Sequence, residues 1–232
     1  MTFATSRRRA RGPVPASAAV LLLLLAIGAN LVAGQVPSAP SAHDMAQRVD
    51  RHYDSLSSLR AEFSESYAGL GVTRFENGTL YLSKPGRMMW QYSSPAGKIF
   101  LLDGKYAWFY ARGDAQVQRI PAKELDDLRS PLRYLLGHSQ LEKELTGLRL
   151  ATAPNGCFTL TGLPKGQEKR VTRLALTVTA AGAITAIEVE EADGAITRFT
   201  FAGERPNVTI PAETFRFTPP PGVPVADAMP PV

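Results

Sequence analysis

The chain has 232 residues, of which 44% are hydrophobic, 20% charged and 8% aromatic, an ordinary globular composition for one or two domains. Its formal net charge is +5, but Arg7, Arg8, Arg9 and Arg11 all precede one apolar run, and residues 1–34 contain no acid. The remaining 22 cations face 21 anions, so there is no basic excess with which to bind a phosphate backbone. We therefore expect no nucleic-acid partner.

The N-terminal segment has the layout of a secretory signal peptide. An apolar stretch from about residue 16 to 32 follows the arginines and ends at the small residues Ala33 and Gly34. We expect a cleaved leader over residues 1–34 and a flexible, proline-containing tether over residues 35–40. An uncleaved membrane anchor is the alternative, and it is disfavoured because the apolar core is short for a spanning helix. Twin-arginine export is also disfavoured, because Arg7-Arg8 lacks the apolar residues that usually follow.

Cys157 is the only cysteine, so the exported chain can form no intrachain disulfide and must depend on an apolar core. Cys157 opens an apolar alternation typical of a strand, which favours a buried structural thiol over a nucleophile.

Order is expected to begin near Ser41. Ser41 and Asp44 have the spacing of a capping box, and an amphipathic helix of about four turns follows. Its apolar residues recur at helical spacing: Met45, Val49, Tyr53 and Leu56. The pattern alone leaves open whether this face only packs on a sheet or also lines a ligand cavity.

From residue 59 the hydrophobic period changes to 2, which predicts strands. We expect a turn at Gly69-Leu70-Gly71, with Gly78 as a bulge, although Asn77-Gly78 could itself be the turn. Asp103-Gly104 is the strongest hairpin signal in the chain. Beyond the first hairpin, the predicted strands are 88–92, 98–102, 105–110, 115–120, 148–152, 157–163, 172–179, 183–190, 196–202 and 214–217.

Residues 121–147 interrupt this pattern and predict a helical insertion. Ser130-Pro131 resembles a helix start, Ser139 can begin a second short helix, and the apolar stripe contains Leu132, Leu135 and Leu136. The fold class is therefore α+β, mainly antiparallel: an unclosed sheet of about eleven strands, with an N-terminal helix and the insertion covering its concave apolar face.

The sequence lacks the residue patterns of catalysis and metal binding. His43, His52 and His138 are the only histidines and do not form a zinc motif, and neither a nucleophile elbow nor a phosphate loop is present. We expect no enzyme activity, no cofactor and no metal. With no catalytic motif, the predicted sheet and helices favour either a protein that binds an apolar ligand or a filled core without a cavity.

Three stretches resemble the periplasmic outer-membrane lipoprotein carrier family, LolA. They read GTLYLSKPGRMMW at 78–90, DGKYAWFY at 103–110 and FRFTPPPGV at 215–223, in the family's order and spacing. The resemblance implies a periplasmic, monomeric carrier with one domain over residues 41–223 and a loose tail over 224–232. Such a carrier takes acylated lipoproteins from an inner-membrane ABC transporter to an outer-membrane receptor, which is itself a lipoprotein.

The resemblance also implies an apolar cavity between the sheet and the helices. Its candidate acyl-binding residues are Met45, Val49, Tyr53, Leu80, Leu82, Met88, Trp90, Trp108, Leu132, Leu135 and Leu136. A carrier of another acylated cargo, such as a glycolipid or a pigment, and a periplasmic lipid-sensing module are the alternative functions.

One position departs from the family pattern. Family members carry an arginine immediately before the proline of the turn, where it ties the helical lid to the barrel, and this chain has Lys84 there. Lysine offers three donors on a flexible stem instead of a planar fork, so we expect either Lys84 or Arg87 to act as the lid latch. Both could instead be solvated turn cations. Met88 stands where the family has an aromatic residue that contacts partners.

Overall fold

Helix α1, Ala42–Asp54, begins with the predicted capping box. The hydroxyl of Ser41 accepts a hydrogen bond from the Asp44 N–H at 3.1 Å, and the Asp44 carboxylate accepts one from the Ser41 N–H at 3.1 Å. Met45, Val49 and Tyr53 are buried along one side of the helix, as their spacing predicts.

The computed structural model describes residues 39–125, 134–135 and 140–227, and in this part of the chain twelve strands form one sheet. The first six are β1 Ser58–Gly69, β2 Val72–Ser83, β3 Arg87–Ser94, β4 Ile99–Asp103, β5 Tyr106–Tyr110 and β6 Val117–Pro121. The others are β7 Leu145–Thr152, β8 Phe158–Pro164, β9 Val171–Val178, β10 Ile184–Glu191, β11 Ile196–Pro206 and β12 Val225–Asp227. Two short helices, α2 Ala122–Leu125 and α3 Leu141–Glu144, lie between β6 and β7.

The sheet is unclosed, with the strand order β12-β6-β5-β4-β3-β2-β1-β11-β10-β9-β8-β7. Among the described strand pairs, β12–β6 is parallel and the others are antiparallel. The predicted fold class is therefore confirmed, with twelve strands instead of about eleven. None of the described helices is long and apolar enough to cross a membrane.

Three sequence predictions near the chain's second half need correction. Residues 214–217 do not form a strand, because Ala212–Phe215 make a 3-10 turn after Pro211 with the side chain of Phe215 buried. The tail is not loose at Val225–Asp227, since these residues add to the open edge of β6. Strand β7 begins at Leu145, so the helical insertion is shorter than residues 121–147.

The predicted hairpins are confirmed. Leu70 and Gly71 form the two-residue turn between β1 and β2. The β2–β3 register shifts beside Gly78, but the partners of Asn77 and Gly78 are Ser94 and Tyr92, so the extra residue is Ser93 of β3 and not Gly78 as expected. At the β4–β5 turn, the Asp103 carboxylate accepts hydrogen bonds from the backbone N–H groups of Lys105 and Tyr106, both at 2.7 Å. Local turn chemistry therefore sets the register of both hairpins.

The strand register sorts side chains onto two faces. Leu80 pairs with Trp90 and Trp90 with Phe100, so these three share one face, which we call the helix face because α1 covers it. Leu101 pairs with Trp108, and both lie on the opposite side, the outer face. The main apolar cluster joins α1 to the helix face.

Gly182 provides a test of how closely α1 approaches the sheet. It has φ +97°, and a Cβ there would lie 2.4 Å from the Arg48 carbonyl oxygen of α1. We expect Gly182→Ala to lower the free energy of unfolding by several kcal/mol, because it adds a backbone clash to the strain.

Gly194→Ala is the matched control, since Gly194 has φ +85° and no atom within 4 Å of the added Cβ. It should show only the strain of about 1–2 kcal/mol. Urea denaturation of both variants measures the difference, and equal losses would contradict a close approach of α1 at Gly182.

Candidate functional site: the apolar face beneath helix α1

The helix face gathers most of the predicted acyl-binding residues into one buried cluster. Its members from α1, β2, β3 and the insertion are Met45, Val49, Tyr53, Leu80, Leu82, Met88, Trp90 and Leu135. Leu132 and Leu136 lie outside the described residues. All eight side chains are buried, with at most 2% of their surface exposed.

Trp90 lies at the centre of an aromatic group within this cluster and is only 1% exposed. The Phe63, Phe199 and Phe201 rings lie 4.6, 5.5 and 6.0 Å from the Trp90 ring between centroids, all edge-on. The Trp90 indole N–H donates to Met88 Sδ at 2.8 Å. Aromatic residues of β1, β3 and β11 thus form one continuous apolar surface.

Lys84 connects the β2–β3 turn to the C-terminal end of α1. Its ammonium donates to the carbonyl oxygens of Tyr53 at 2.5 Å and Asp54 at 3.2 Å. The Tyr53 carbonyl also accepts a hydrogen bond from the Leu56 N–H at 3.3 Å, and the negative end of the helix dipole favours a cation at this position. The half-buried Lys84 therefore has the geometry expected of a group that fastens the helix to the sheet.

Arg87 does not reach α1. Its guanidinium donates to Ser83 Oγ at 3.1 Å and lies 5.2 Å from the ring centroid of Phe215 on the outer face. Of the two cations considered from the sequence, only Lys84 contacts the helix.

Three further contacts hold α1 against the other half of the sheet, and sequence reasoning missed them. Arg48 donates to the Ala180 carbonyl at 3.0 Å, and the Ile184 N–H donates to the buried Tyr53 hydroxyl at 3.0 Å. His52 Nε2 lies 2.7 Å from a carboxylate oxygen of Glu204. Their partners are more than 130 positions away along the chain, so no local pattern reveals them.

Helix α1 also contacts α3 through ionisable groups. The half-buried Asp50 carboxylate accepts a hydrogen bond from the Leu141 N–H at 3.2 Å, and His43 Nδ1 lies 2.7 Å from Glu142 Oε1. Burial, and secondarily repulsion by Asp54, Glu144 and Glu142, raises the pKa of Asp50 to about 6. The hydrogen bond and charge of Glu142 raise the pKa of His43.

The helix face becomes polar toward the β1–β2 turn. The Tyr92 hydroxyl donates to Glu65 at 3.0 Å, Lys98 forms an ion pair with Glu76, and the Lys98 ammonium lies 4.3 Å from the Tyr92 ring centroid. Burial raises the pKa of Glu65. The covered surface is thus amphipathic, apolar beneath α1 and ionic at its far end.

Trp108 is a correction to the predicted lining. It lies on the outer face, where its indole N–H donates to Asp103 at 2.8 Å and its ring lies 5.8 Å from that of Phe217. Strand β5 has apolar residues on both of its faces, so its sequence pattern could not show which face meets α1. Phe109 lies on the helix face in place of Trp108.

A cavity of about 440 Å³ is formed by residues of β1, β2, β3 and β11. It is lined by Glu62, Phe63, Ser64, Asn77, Gly78, Thr79, Ser93, Thr200, Phe201 and Ala202. None of these is a candidate acyl-binding residue, although Phe63 and Phe201 also belong to the aromatic group around Trp90.

Two expectations about reactive groups can also be compared with the structure. Cys157 is half-buried and lies immediately before β8, so it is less enclosed than expected. Within the described ranges no three His, Cys, Asp or Glu residues lie together as metal ligands.

The architecture is thus an unclosed, mainly antiparallel sheet with an N-terminal helix packed against its apolar face. The family model for the outer membrane lipoprotein carrier protein LolA matches residues 54–218, and the chain belongs to this family. Among its relatives, the outer-membrane lipoprotein carrier protein of Cupriavidus necator is 29% identical over 93% of this chain and 98% of its own length. That of Pseudoalteromonas translucida is 30% identical over 85% of this chain and 94% of its own length.

Solved structures agree with the fold. A crystal structure of an uncharacterized conserved protein from Thermus thermophilus superposes with a TM-score of 0.52 at 14% identity. It covers 81% of this chain and 99% of its own. At this identity the likeness concerns the fold alone.

The raised pKa of Asp50 predicts how the free energy of unfolding depends on pH. The folded-state pKa of about 6 exceeds the usual 3.8, so the folded protein binds the proton more tightly than the unfolded chain. The stability that this provides is present at low pH and is lost as the pH rises toward and through 6. Asp50→Asn keeps an acceptor for Leu141, so it should be more stable than the wild type at pH 7.5 and similar at pH 4.

The comparison variant is Asp44→Asn, because hydrogen bonds from Ser41 lower the pKa of Asp44. It should destabilise the protein more at pH 7.5 than at low pH, which is the opposite sign. Urea denaturation at several pH values measures both variants, and a parallel pH profile for Asp50→Asn and wild type would reject the assignment.

Proposed function

We propose that this protein is a periplasmic carrier that binds the acyl chains of lipoproteins between α1, the insertion and the helix face. The observation that carries the proposal is the buried cluster beneath α1, which contains eight of the eleven candidate acyl-binding residues in a chain of the lipoprotein carrier family. The relatives are named as carriers, and we assign no catalytic step to this chain.

The need for a carrier follows from the cost of exposing acyl chains to water. At about 0.8 kcal/mol per CH₂, one sixteen-carbon chain costs roughly 12 kcal/mol, and a triacylated lipoprotein correspondingly more. Because the eight residues are at most 2% exposed, acyl chains would reach them only when α1 or the insertion moves away from the sheet. The chains would then pack against the apolar side chains of the helix face, which include Leu80, Leu82 and Trp90.

Lys84 is the proposed latch of this movement. It donates to two helix-end carbonyls, and a charged donor of this kind contributes about 1–3 kcal/mol net of water. That magnitude biases the closed, empty state without preventing opening. When α1 closes after delivery, the carrier would bind the cargo less tightly than the final acceptor does.

The proposed route begins at an inner-membrane lipoprotein-releasing ABC transporter and ends at an outer-membrane lipoprotein receptor. The leader over residues 1–34 supports export, and the near-neutral mature chain is compatible with a soluble monomer. A carrier of glycolipids or pigments would use the same apolar space. Mass spectrometry of material bound to protein purified from its host would distinguish these cargoes.

The two tryptophans report on the proposed acyl site. A Trp108→Phe variant leaves only Trp90 on the helix face, and Trp90→Phe leaves only Trp108 on the outer face. Addition of a brominated acyl chain should quench Trp90 by at least half and Trp108 by little, because bromine quenches only indoles in near contact. Steady-state fluorescence titration measures both. Equal quenching, or quenching of Trp108 alone, would contradict binding beneath α1.

The latch is tested by a lipoprotein transfer assay on Lys84→Leu. The variant should fold and load, but delivery to the acceptor should fall about tenfold, since loss of about 1.4 kcal/mol changes an equilibrium by that factor. Lys84→Arg should retain delivery, because the fork can donate to the same carbonyls.

Arg87→Leu is the matched control in the same turn, since Arg87 contacts the outer face. Its delivery should remain close to that of the wild type. Unchanged delivery by Lys84→Leu, or equal losses at the two positions, would reject Lys84 as the latch.

A further inference from the structure

Apolar side chains are exposed around the turn between β1 and β2. Leu70 is 80% exposed, Phe75 75%, Val72 50% and Ile196 40%. Ile196 belongs to this group because it pairs with Ala68 at the end of β1. Across the described ranges only one other large hydrophobic residue, Val225, is comparably exposed. Exposed apolar surface is thus concentrated at one end of the sheet, where it is characteristic of an interaction site.

Leu70 adds a backbone observation. It has φ 51°, in the left-handed region that asparagine, aspartate or glycine normally occupies at this position of a two-residue hairpin turn. A leucine there is strained, and its side chain has no core to fill. Stability alone therefore does not account for the choice of leucine.

The backbone of β2 is also unpaired beside this patch. Strand β1 pairs with β2 along its whole length, whereas β3 pairs only with residues 77–83. In the described structure, residues 72–76 therefore have no strand on their second side. In a two-residue hairpin the residues flanking the turn bond to each other, so Thr73 and Phe75 direct their N–H and C=O groups away from β1. We call residues 72–76 the free edge.

The side chains of the free edge define what it would pair with. Phe75 pairs with Ser66 and lies on the outer face, where it offers an apolar contact. Arg74 lies on the helix face, with its guanidinium 4.6 Å from the Tyr67 ring centroid. Glu76 forms an ion pair with Lys98 at the end of the free edge.

We propose that the free edge is a docking site for an extended segment of a partner protein, which adds to β2 as a further strand. The segment would place an apolar side chain beside Phe75 and an acidic side chain beside Arg74. Backbone hydrogen bonds to Thr73 and Phe75 would supply affinity, and the two side-chain contacts would supply specificity. This inference does not depend on acyl binding beneath α1.

Charge disfavours two other occupants. A second copy added antiparallel about the centre of the free edge would place Arg74 opposite Arg74, and like charges directly opposite are destabilising. An anionic bilayer would meet Glu190, which pairs with Ile196 across β10 and β11 inside the patch. An acidic, extended protein segment avoids both conflicts.

The test uses the mature protein, labelled with ¹⁵N, and a capped eight-residue peptide in which valine alternates with serine and one central serine is replaced by glutamate. The same peptide with a central proline is the control probe. Binding should slow amide exchange at Thr73 and Phe75 at least tenfold and produce contacts between the peptide backbone and β2. The proline peptide should produce neither effect.

Two pairs of variants test whether the peptide binds at the free edge. Thr73→Pro removes an outward N–H and should weaken peptide binding at least tenfold, whereas Thr73→Ala should not. Arg74→Glu should weaken it similarly, and Arg74→Lys should retain most affinity. The proposal is overturned if the peptide does not bind or if these variants bind it equally. It is also overturned if the same amides become protected instead by dimerisation or by phosphatidylglycerol vesicles.

Discussion

The structure depends on one constraint: in the part of the chain that the structure describes, the unclosed sheet has a large apolar face that no second sheet covers. Helix α1 covers it, and the helix is fastened to both halves of the sheet. Lys84 holds its C-terminal end at the β2–β3 turn, while Arg48 and the Tyr53 hydroxyl hold it at the β9–β10 turn. Because each of these hydrogen bonds contributes only a small free energy, α1 can pack stably on the sheet and still separate from it.

One surface serves as a core in this structure, and the proposed acyl site is that same surface. The aromatic group around Trp90 belongs to the same buried cluster as the side chains of α1. In the proposed function, separation of α1 from the sheet would expose this cluster to an apolar ligand. The apolar surface ends toward the β1–β2 turn, where the helix face has the ionic group of Glu65, Tyr92 and Lys98.

The contacts between α1 and α3 differ in kind from those at Lys84. Asp50 and His43 both have raised pKa values and both face α3, so the two act in the same direction. We expect the α1–α3 contact to tighten as the pH falls, because protonation of Asp50 removes its repulsion from Glu142 and Glu144 and the raised pKa of His43 favours its positive charge beside Glu142.

The sequence by itself determined the elements with local causes. Four local features are present as predicted, because each depends on residues within a few positions of one another. They are the Ser41–Asp44 capping box, the buried side of α1 with Met45, Val49 and Tyr53, and the turns at Leu70-Gly71 and Asp103-Gly104.

Only the tertiary structure decided which face of each strand meets the helix and which distant groups hold it there. Trp108 was misassigned because its strand is apolar on both sides, and β12 was missed because three residues acquire strand geometry only by pairing with β6. The choice between Lys84 and Arg87 likewise depended on position, since two cations three residues apart carry the same local signal. Their side chains reach opposite faces of the sheet, and that difference exists only when the strands have paired.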